Sequence, residues 1–248
     1  MKHIDISRFA PLDYAGQEAV NTLCTNISFF GSKMKRIMLT STYMSEGKSF
    51  VAMNLLRTMA KYGKCVCLVD ADLRRSYISS QYGLQYEDEQ NRFGLAHLLA
   101  GMTDVDNVLY STSIEGAYIV PVGREVSNPL PLLNSEGFAD LLDHLATMFD
   151  YVIVDAPPIG TVIDAAEIAK SCDGALIVVK YNEIKRQELI EVKEQLEQTE
   201  CTVLGAVLNM VEYDKYLGRK YYKSEYSQYK PASQTNKGKK NKAEQGKR

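Results

Sequence analysis

The chain is poor in the residues that hold small or secreted proteins together. Its five cysteines, Cys24, Cys65, Cys67, Cys172 and Cys201, are an odd number with no C-x-x-C spacing and no clustered histidines beside them. A disulfide framework and a zinc centre are therefore excluded as organising principles, and a reduced, cytoplasmic compartment fits. Cys65 and Cys67 lie two apart in an apolar run, which places them on one face of a strand as core packing. The opening "MKHIDISRFAP" has no apolar h-region, and nowhere do about eighteen apolar residues run together. The expectation is a chain that neither crosses a membrane nor carries a signal peptide. An excess of one charge is missing too: the net charge of −2 gives no whole-chain reason to expect nucleic acid. No internal repeat is visible.

What is present is enough for one sizeable core. The chain has 248 residues, 45% of them hydrophobic and 24% charged, and α/β domains of this length commonly stay undivided. Short apolar runs, "RIMLTS", "CVCLVD", "AYIVPV", "YVIVD", "ALIVVK" and "TVLGAVLN", read as strands. Between them "SFVAMNLLRTMAKY", "SEGFADLLDHLATMF", "VIDAAEIAKS" and "KRQELIEVKEQLEQ" read as helices. Strands apolar on both faces and separated by helices imply a mostly parallel sheet covered on each side. Residues 71 to 116 are less regular and suit loops and short helices beyond the carboxyl ends of the strands. "AGQEAVNTLCTNISFF" reads as an N-terminal helix over about residues 16–30 with no strand ahead of it, packed outside the sheet or against a neighbour.

The end of the chain has a different character. Tyr213, Tyr216, Tyr221, Tyr222, Tyr226 and Tyr229 recur among Lys, Ser, Glu and Gln, without the apolar partners that would bury them on one face. They read as displayed residues. The last nineteen residues carry six Lys and one Arg against a single Glu and lack apolar residues, so disorder is expected there. That tail is either a solvated terminus or a strip attracted to an anionic membrane surface or other polyanion. The expected organisation is a domain over 1–212, a tyrosine-rich segment over 213–229 and a basic tail over 230–248.

Three stretches carry chemistry. Strand "IMLTS" runs into "TYMSEGKS", residues 42 to 49, and then into a helix, the context in which G-x-x-x-x-G-K-[ST] is a phosphate-binding loop, although Thr42 replaces its first glycine. Gly47 lets backbone approach phosphate, Lys48 brings a cation to the β- and γ-phosphates, Ser49 can ligate Mg²⁺, and the helix N-terminus adds its dipole. Ser45, Glu46 and Phe50 complete the nucleotide cradle. "LVDADLRR" puts Asp70 and Asp72 at a strand end, where one could hold hydrated Mg²⁺ and the other accept a proton, or where they are simply a strand-end acid and a helix cap. "YVIVDAPP" delivers Asp155 at a third strand end, where a P-loop protein needs its Walker B acid.

In these motifs the chain resembles the cytoplasmic kinase domain of the bacterial tyrosine kinases (BY-kinases) that accompany capsule and exopolysaccharide synthesis. The resemblance covers about residues 14 to 229: a Walker A in "LTSTYMSEGKS", a Walker A′ in "CLVDADLRR", a Walker B in "VIVDAPP", an Asn-Pro segment in "SNPLPLL", and the C-terminal tyrosines as an autophosphorylation cluster. It implies an α/β P-loop NTPase-type fold and an ATP- and Mg²⁺-dependent protein-tyrosine kinase. Lys48 and Ser49 would bind phosphate and Mg²⁺, Asp72 and Asp155 would organise the metal, Asp70 would be the base, and Asn209 would contact the purine. It also implies self-association for phosphorylation in trans. The implied partner is a membrane-spanning polysaccharide chain-length regulator on a separate chain, which would recruit this one to the inner face of the membrane.

Departures from the family pattern accompany the resemblance. Met44, Ser45 and Glu46 stand where Pro-Gly-Glu is usual. The oligomerisation motif Glu-x-x-Arg-x-x-Arg appears as Glu18, Asn21 and Cys24, so ring contacts made by its arginines do not carry over. Ser76 follows "DLRR" where proline is frequent, a change the sequence does not explain. A MinD- or ParA-type ATPase switch shares these motifs, but Tyr43 holds the place of its signature lysine. A nucleotide-binding scaffold of a polysaccharide export complex would not need the full set of acids.

Overall fold

Residues 1–211 are described by the computed structural model; the six C-terminal tyrosines and the basic tail lie outside the described residues. In chain order the elements are β1 Lys2–Ile6, α1 Tyr14–Ser28, β2 Arg36–Ser41, α2 Lys48–Lys61, β3 Val66–Asp70, α3 Ile78–Tyr82, β4 Leu84–Tyr86, α4 Leu95–Leu99 and α5 Val105–Val108. There follow β5 Tyr110–Thr112, β6 Ala117–Val120, α6 Leu130–Leu133, α7 Glu136–Met148, β7 Tyr151–Asp155, α8 Asp164–Ala169, β8 Gly174–Lys180, α9 Arg186–Glu197 and β9 Thr202–Asn209.

Alternation along the central strands decides which helices they meet. Successive strand side chains point to opposite faces. Met38, Cys67, Val69, Val152 and Val154 pack on one side with Leu142 and Leu145 of α7, Ile168 of α8 and Leu196 of α9. Ile37, Leu39, Leu68 and Ile153 pack on the other with Ile27 of α1 and Leu55, Leu56 and Met59 of α2. Both faces are therefore buried, as continuous apolar strands require. Cys67 is fully buried and Cys65 packs against the same cluster, so the pair shares one face.

The strands form one sheet in the order β4-β1-β5-β6-β3-β7-β2-β8-β9. Its centre is parallel, and only the β1–β4 and β5–β6 pairs are antiparallel. The chain leaves β2 by α2, crosses over β7 and enters β3, whereas β8 and β9 lie on the other side of β2. Such a reversal of strand order opens a crevice at the carboxyl ends of the strands. Asp70 pairs in register with Asp155 there, and Leu39 of β2 with the same Asp155.

Three strands were not anticipated. β1 precedes α1, so the expectation of a helix with no strand ahead of it is corrected: Ile4 and Ile6 alternate inward in a strand that pairs with β4 and β5. β4 and β5 have three residues each and owe their form to pairing partners, not to apolar runs. α1 also begins two residues earlier than expected, because Asp13 caps it by accepting from the Gly16 N–H at 2.8 Å. The helix joins the core through Cys24 and Ile27.

The entry to β2 is fixed by Asp173, just ahead of β8. Its carboxylate accepts the N–H groups of Lys35 (2.9 Å) and Arg36 (2.7 Å) and the Arg36 guanidinium (2.6 Å). Burial pushes this carboxyl up, but the Arg36 side chain and the two backbone donors outweigh it and hold it below its ordinary range. Asp173→Asn should lower the unfolding free energy at pH 7 by about 1–3 kcal/mol. A depressed folded pKa contributes stability above the unfolded value, about 3.9, and loses it as pH falls through the folded one. Urea denaturation should show wild type and variant converging only in that acid window; equal stability at pH 7 would contradict this.

Candidate nucleotide-binding site

The phosphate loop is built by two left-handed residues and a buried glutamate. Ser45 has φ 64° and Gly47 φ 90°, a region that costs a side chain strain. At Gly47 space decides as well, since a Cβ would lie 2.1 Å from the Asn209 side-chain nitrogen. At the other end of the loop a Cβ on Gly160 would lie 2.5 Å from the Thr42 carbonyl oxygen. The segment after β7 is thus laced to the start of the loop. Thr40 Oγ1 donates to the Pro157 carbonyl at 2.7 Å, and the Ile159 N–H to the Ser41 carbonyl at 2.9 Å.

Glu46 is only 2% exposed. Its carboxylate accepts the Tyr43 N–H at 2.8 Å and the Lys180 N–H at 3.2 Å, and its carbonyl accepts from Asn209 Nδ2 at 2.9 Å. It ties the loop to the ends of β8 and β9. Sequence reasoning placed Glu46 and Asn209 at the nucleotide; in the structure the Glu46 carboxylate is taken up by backbone N–H groups and Asn209 Nδ2 by the Glu46 carbonyl. The signal was available in part, because an acid in a loop that must cradle phosphate is better turned away from it. Ser45 and Phe50 are exposed at the loop and in the first turn of α2, while Lys48 and Ser49 are buried. No side chain caps the N-terminus of α2, which leaves its first N–H groups and dipole for an anion.

Beneath the loop one ammonium meets three carboxylates. Lys48 Nζ lies 3.2 Å from Asp72 Oδ2. Burial alone would make Lys48 easier to deprotonate, but Asp155, Asp72 and Asp70 outweigh it and keep it charged. Asp70 and Asp155 are each 1% exposed. Burial, and for Asp70 the adjacent Asp155, push both above the usual carboxylate range, although Lys48 and the Ser49 hydroxyl pull Asp155 back. Asp70 Oδ1 and Asp155 Oδ1 are buried with no hydrogen-bond partner among the described residues. The open oxygen of Asp155, the strand-end acid expected at the metal, fits a hydrated cation; that of Asp70 is left for a different partner. Asp70, Asp72, Asp155, Lys48 and Ser49 thus come together as the motifs implied.

Two further contacts at the site had no place in the sequence reading. Arg74 makes a two-pronged ion pair with the fully buried Asp164 of α8 and donates to the Ser127 carbonyl at 3.0 Å. It locks the turn after β3 to α8 and to the Asn-Pro segment. Ser76 Oγ donates to Asp70 Oδ2 at 2.5 Å. In α1, Glu18 accepts from Asn21 of the same helix at 3.0 Å and Cys24 faces the core, so all three motif positions make contacts within their own chain.

The brace predicts a separable phenotype. Glu46→Ala should leave the N–H groups of Tyr43 and Lys180 unpaired, costing about 1–3 kcal/mol of stability, and should weaken ATP binding severalfold, because the loop amides lose their fixed positions. Denaturation and calorimetric titration would check this; unchanged values in both would rule out the brace.

Comparison with known proteins places this geometry. A family model described as an AAA domain matches residues 34–206, which contain Lys48, Asp70, Asp72 and Asp155 but not Asn209. The tyrosine-protein kinase CpsD of Streptococcus pneumoniae is 38% identical over 202 residues, 81% of this chain and 87% of that protein. The tyrosine-protein kinase YwqD of Bacillus subtilis is 30% identical over 207 residues, 83% of this chain and 85% of that one. The kinase domain of the Escherichia coli tyrosine kinase ETK superposes with a TM-score of 0.72 at 31% identity, covering 78% of this chain and 74% of that chain. The chain belongs to the CpsD-like family of bacterial tyrosine-protein kinases, built on a P-loop AAA-domain core.

Proposed function

We propose that this chain is a Mg-ATP-dependent protein-tyrosine kinase that phosphorylates its own C-terminal tyrosines in trans and thereby regulates capsular or extracellular polysaccharide synthesis or export. The observation that carries this reading is Lys48 held among Asp72, Asp70 and Asp155 at adjacent strand ends, below an uncapped helix N-terminus. Such a site accepts a triphosphate through loop amides and the lysine, and a divalent cation through the acids.

Ser49, Asp72 and Asp155 would hold Mg²⁺. The metal would offset negative charge on the β- and γ-phosphates. Among the described residues no three His, Cys, Asp or Glu side chains form a metal cage by themselves, which suits an ion bound through one or two carboxylates together with substrate phosphates and water. In transfer, the tyrosyl oxygen bonds to the γ-phosphorus, the bond from that phosphorus to the bridging oxygen breaks, and ADP leaves. The hydroxyl proton passes to Asp70. A tyrosine with a pKa near 10 is a weak donor, so a carboxylate placed to accept that proton serves the step. Asn209, at the end of β9 with its Nδ2 bonded to the Glu46 carbonyl, is the proposed purine contact.

Tyr213, Tyr216, Tyr221, Tyr222, Tyr226 and Tyr229 are the proposed acceptors. Each phosphate adds about −1.5 to −2 charge, which reverses the sign of a segment that begins basic and loosens it from the acidic site it has just used. Among the described residues no helix is long and apolar enough to cross a membrane. The proposed activator is a membrane-spanning chain-length regulator on another chain, which brings this one to the inner membrane face.

Mass-spectrometric mapping after incubation with Mg-ATP and candidate activators tests the reading. Lys48→Met should abolish self-phosphorylation while the fold persists, because it removes a phosphate-facing cation. A chain truncated after Asn209 should gain no phosphate yet phosphorylate full-length Lys48→Met protein. Phosphate on the truncated chain at the wild-type level, or an unmodified Lys48→Met partner beside active wild type, would refute the trans-acceptor account.

A further inference from the structure

The turn that follows β3 returns the chain to the carboxylate it has just left. The Leu73 N–H donates to the Ala71 carbonyl at 2.9 Å and the Arg75 N–H to the Asp72 carbonyl at 3.2 Å. Arg74 is clamped by Asp164 and the Ser127 carbonyl, and the Arg75 guanidinium lies 5.0 Å from the Tyr77 ring centre. Held on both flanks, Ser76 presents its hydroxyl 2.5 Å from Asp70 Oδ2. The other oxygen of that buried carboxylate, Oδ1, has no partner among the described residues.

We propose that Ser76 is a positioning residue for Asp70: by donating to Oδ2 it fixes the plane of the carboxylate and leaves Oδ1 to take the proton of the incoming tyrosyl hydroxyl. The proposal rests on the reading of Asp70 as proton acceptor. Without the Ser76 bond both oxygens of a buried carboxylate are unpartnered, and Lys48, whose charge already acts on Asp70, becomes the strongest attraction for them. A carboxylate turned toward Lys48 is lost to the acceptor hydroxyl and competes for the cation that should meet the γ-phosphate.

The test is a double-mutant cycle of Ser76→Ala and Asp70→Asn, with Ser76→Thr as the conservative variant, measured with Mg-ATP and full-length Lys48→Met protein as acceptor. A charge-assisted bond that aims a reacting group predicts about a tenfold fall in kcat for Ser76→Ala. The KM for ATP should stay within about twofold, and Ser76→Thr should recover most of the rate. In the Asp70→Asn background Ser76→Ala should have no further effect, because the group it positions is gone. Independent, multiplying effects of the two substitutions, a loss confined to KM, or phosphate mapped to Ser76 itself would overturn the inference. The same four proteins unfolded in urea give a readout independent of activity: coupled stabilities are expected, and additive ones overturn the contact. An inactive wild type with coupled stabilities would instead refute the kinase reading and leave the Ser76–Asp70 bond standing.

Discussion

Charge imbalance at the ends of β2, β3 and β7 governs this structure. One ammonium, Lys48, is buried with three carboxylates, Asp70, Asp72 and Asp155. The protein relieves part of this by raising the proton affinity of Asp70 and Asp155. It tolerates the remainder because the surrounding core fixes the strand ends: register sets Asp70 beside Asp155, and Val69, Val154 and Leu39 on the same strands are fully buried. Neither carboxylate can move apart without breaking that packing.

The loops turn the imbalance into a binding site. Glu46 adds a fourth carboxylate close by, yet it is spent on two backbone N–H groups, so it shapes the loop and does not face the phosphates. Asn209 and Gly47 approach so closely that the end of β9 and the loop cannot shift independently. Arg74, paired with buried Asp164, anchors the opposite wall. These contacts tie together the walls of the crevice where phosphate would be held.

The centre of the fold was legible in the sequence because its strands are short apolar runs buried on both faces, and Lys48, Ser49, Asp70, Asp72 and Asp155 sit where those runs end. Periodicity could not show β1, β4 and β5, which are brief and stabilised by one another. The internal contacts of the site were hidden for a similar reason. Glu46 belongs to a motif whose residues are ordinarily assigned to the nucleotide, and only geometry shows its carboxylate turned to the protein and tied through its carbonyl to Asn209. Ser76 was a replacement the sequence does not explain, and the turn at Ala71 to Arg75 brings its hydroxyl back to Asp70.

A site with more carboxylates than cations should repel a bare triphosphate and welcome one carrying a divalent ion. Calorimetric titration of ATP with Mg²⁺ and with EDTA, on wild type and on Asp155→Asn, measures this directly. The account predicts that removing Mg²⁺ weakens ATP binding to wild type by about tenfold or more, and that Asp155→Asn loses most of that dependence. Equal affinity of wild type with and without Mg²⁺ would contradict it.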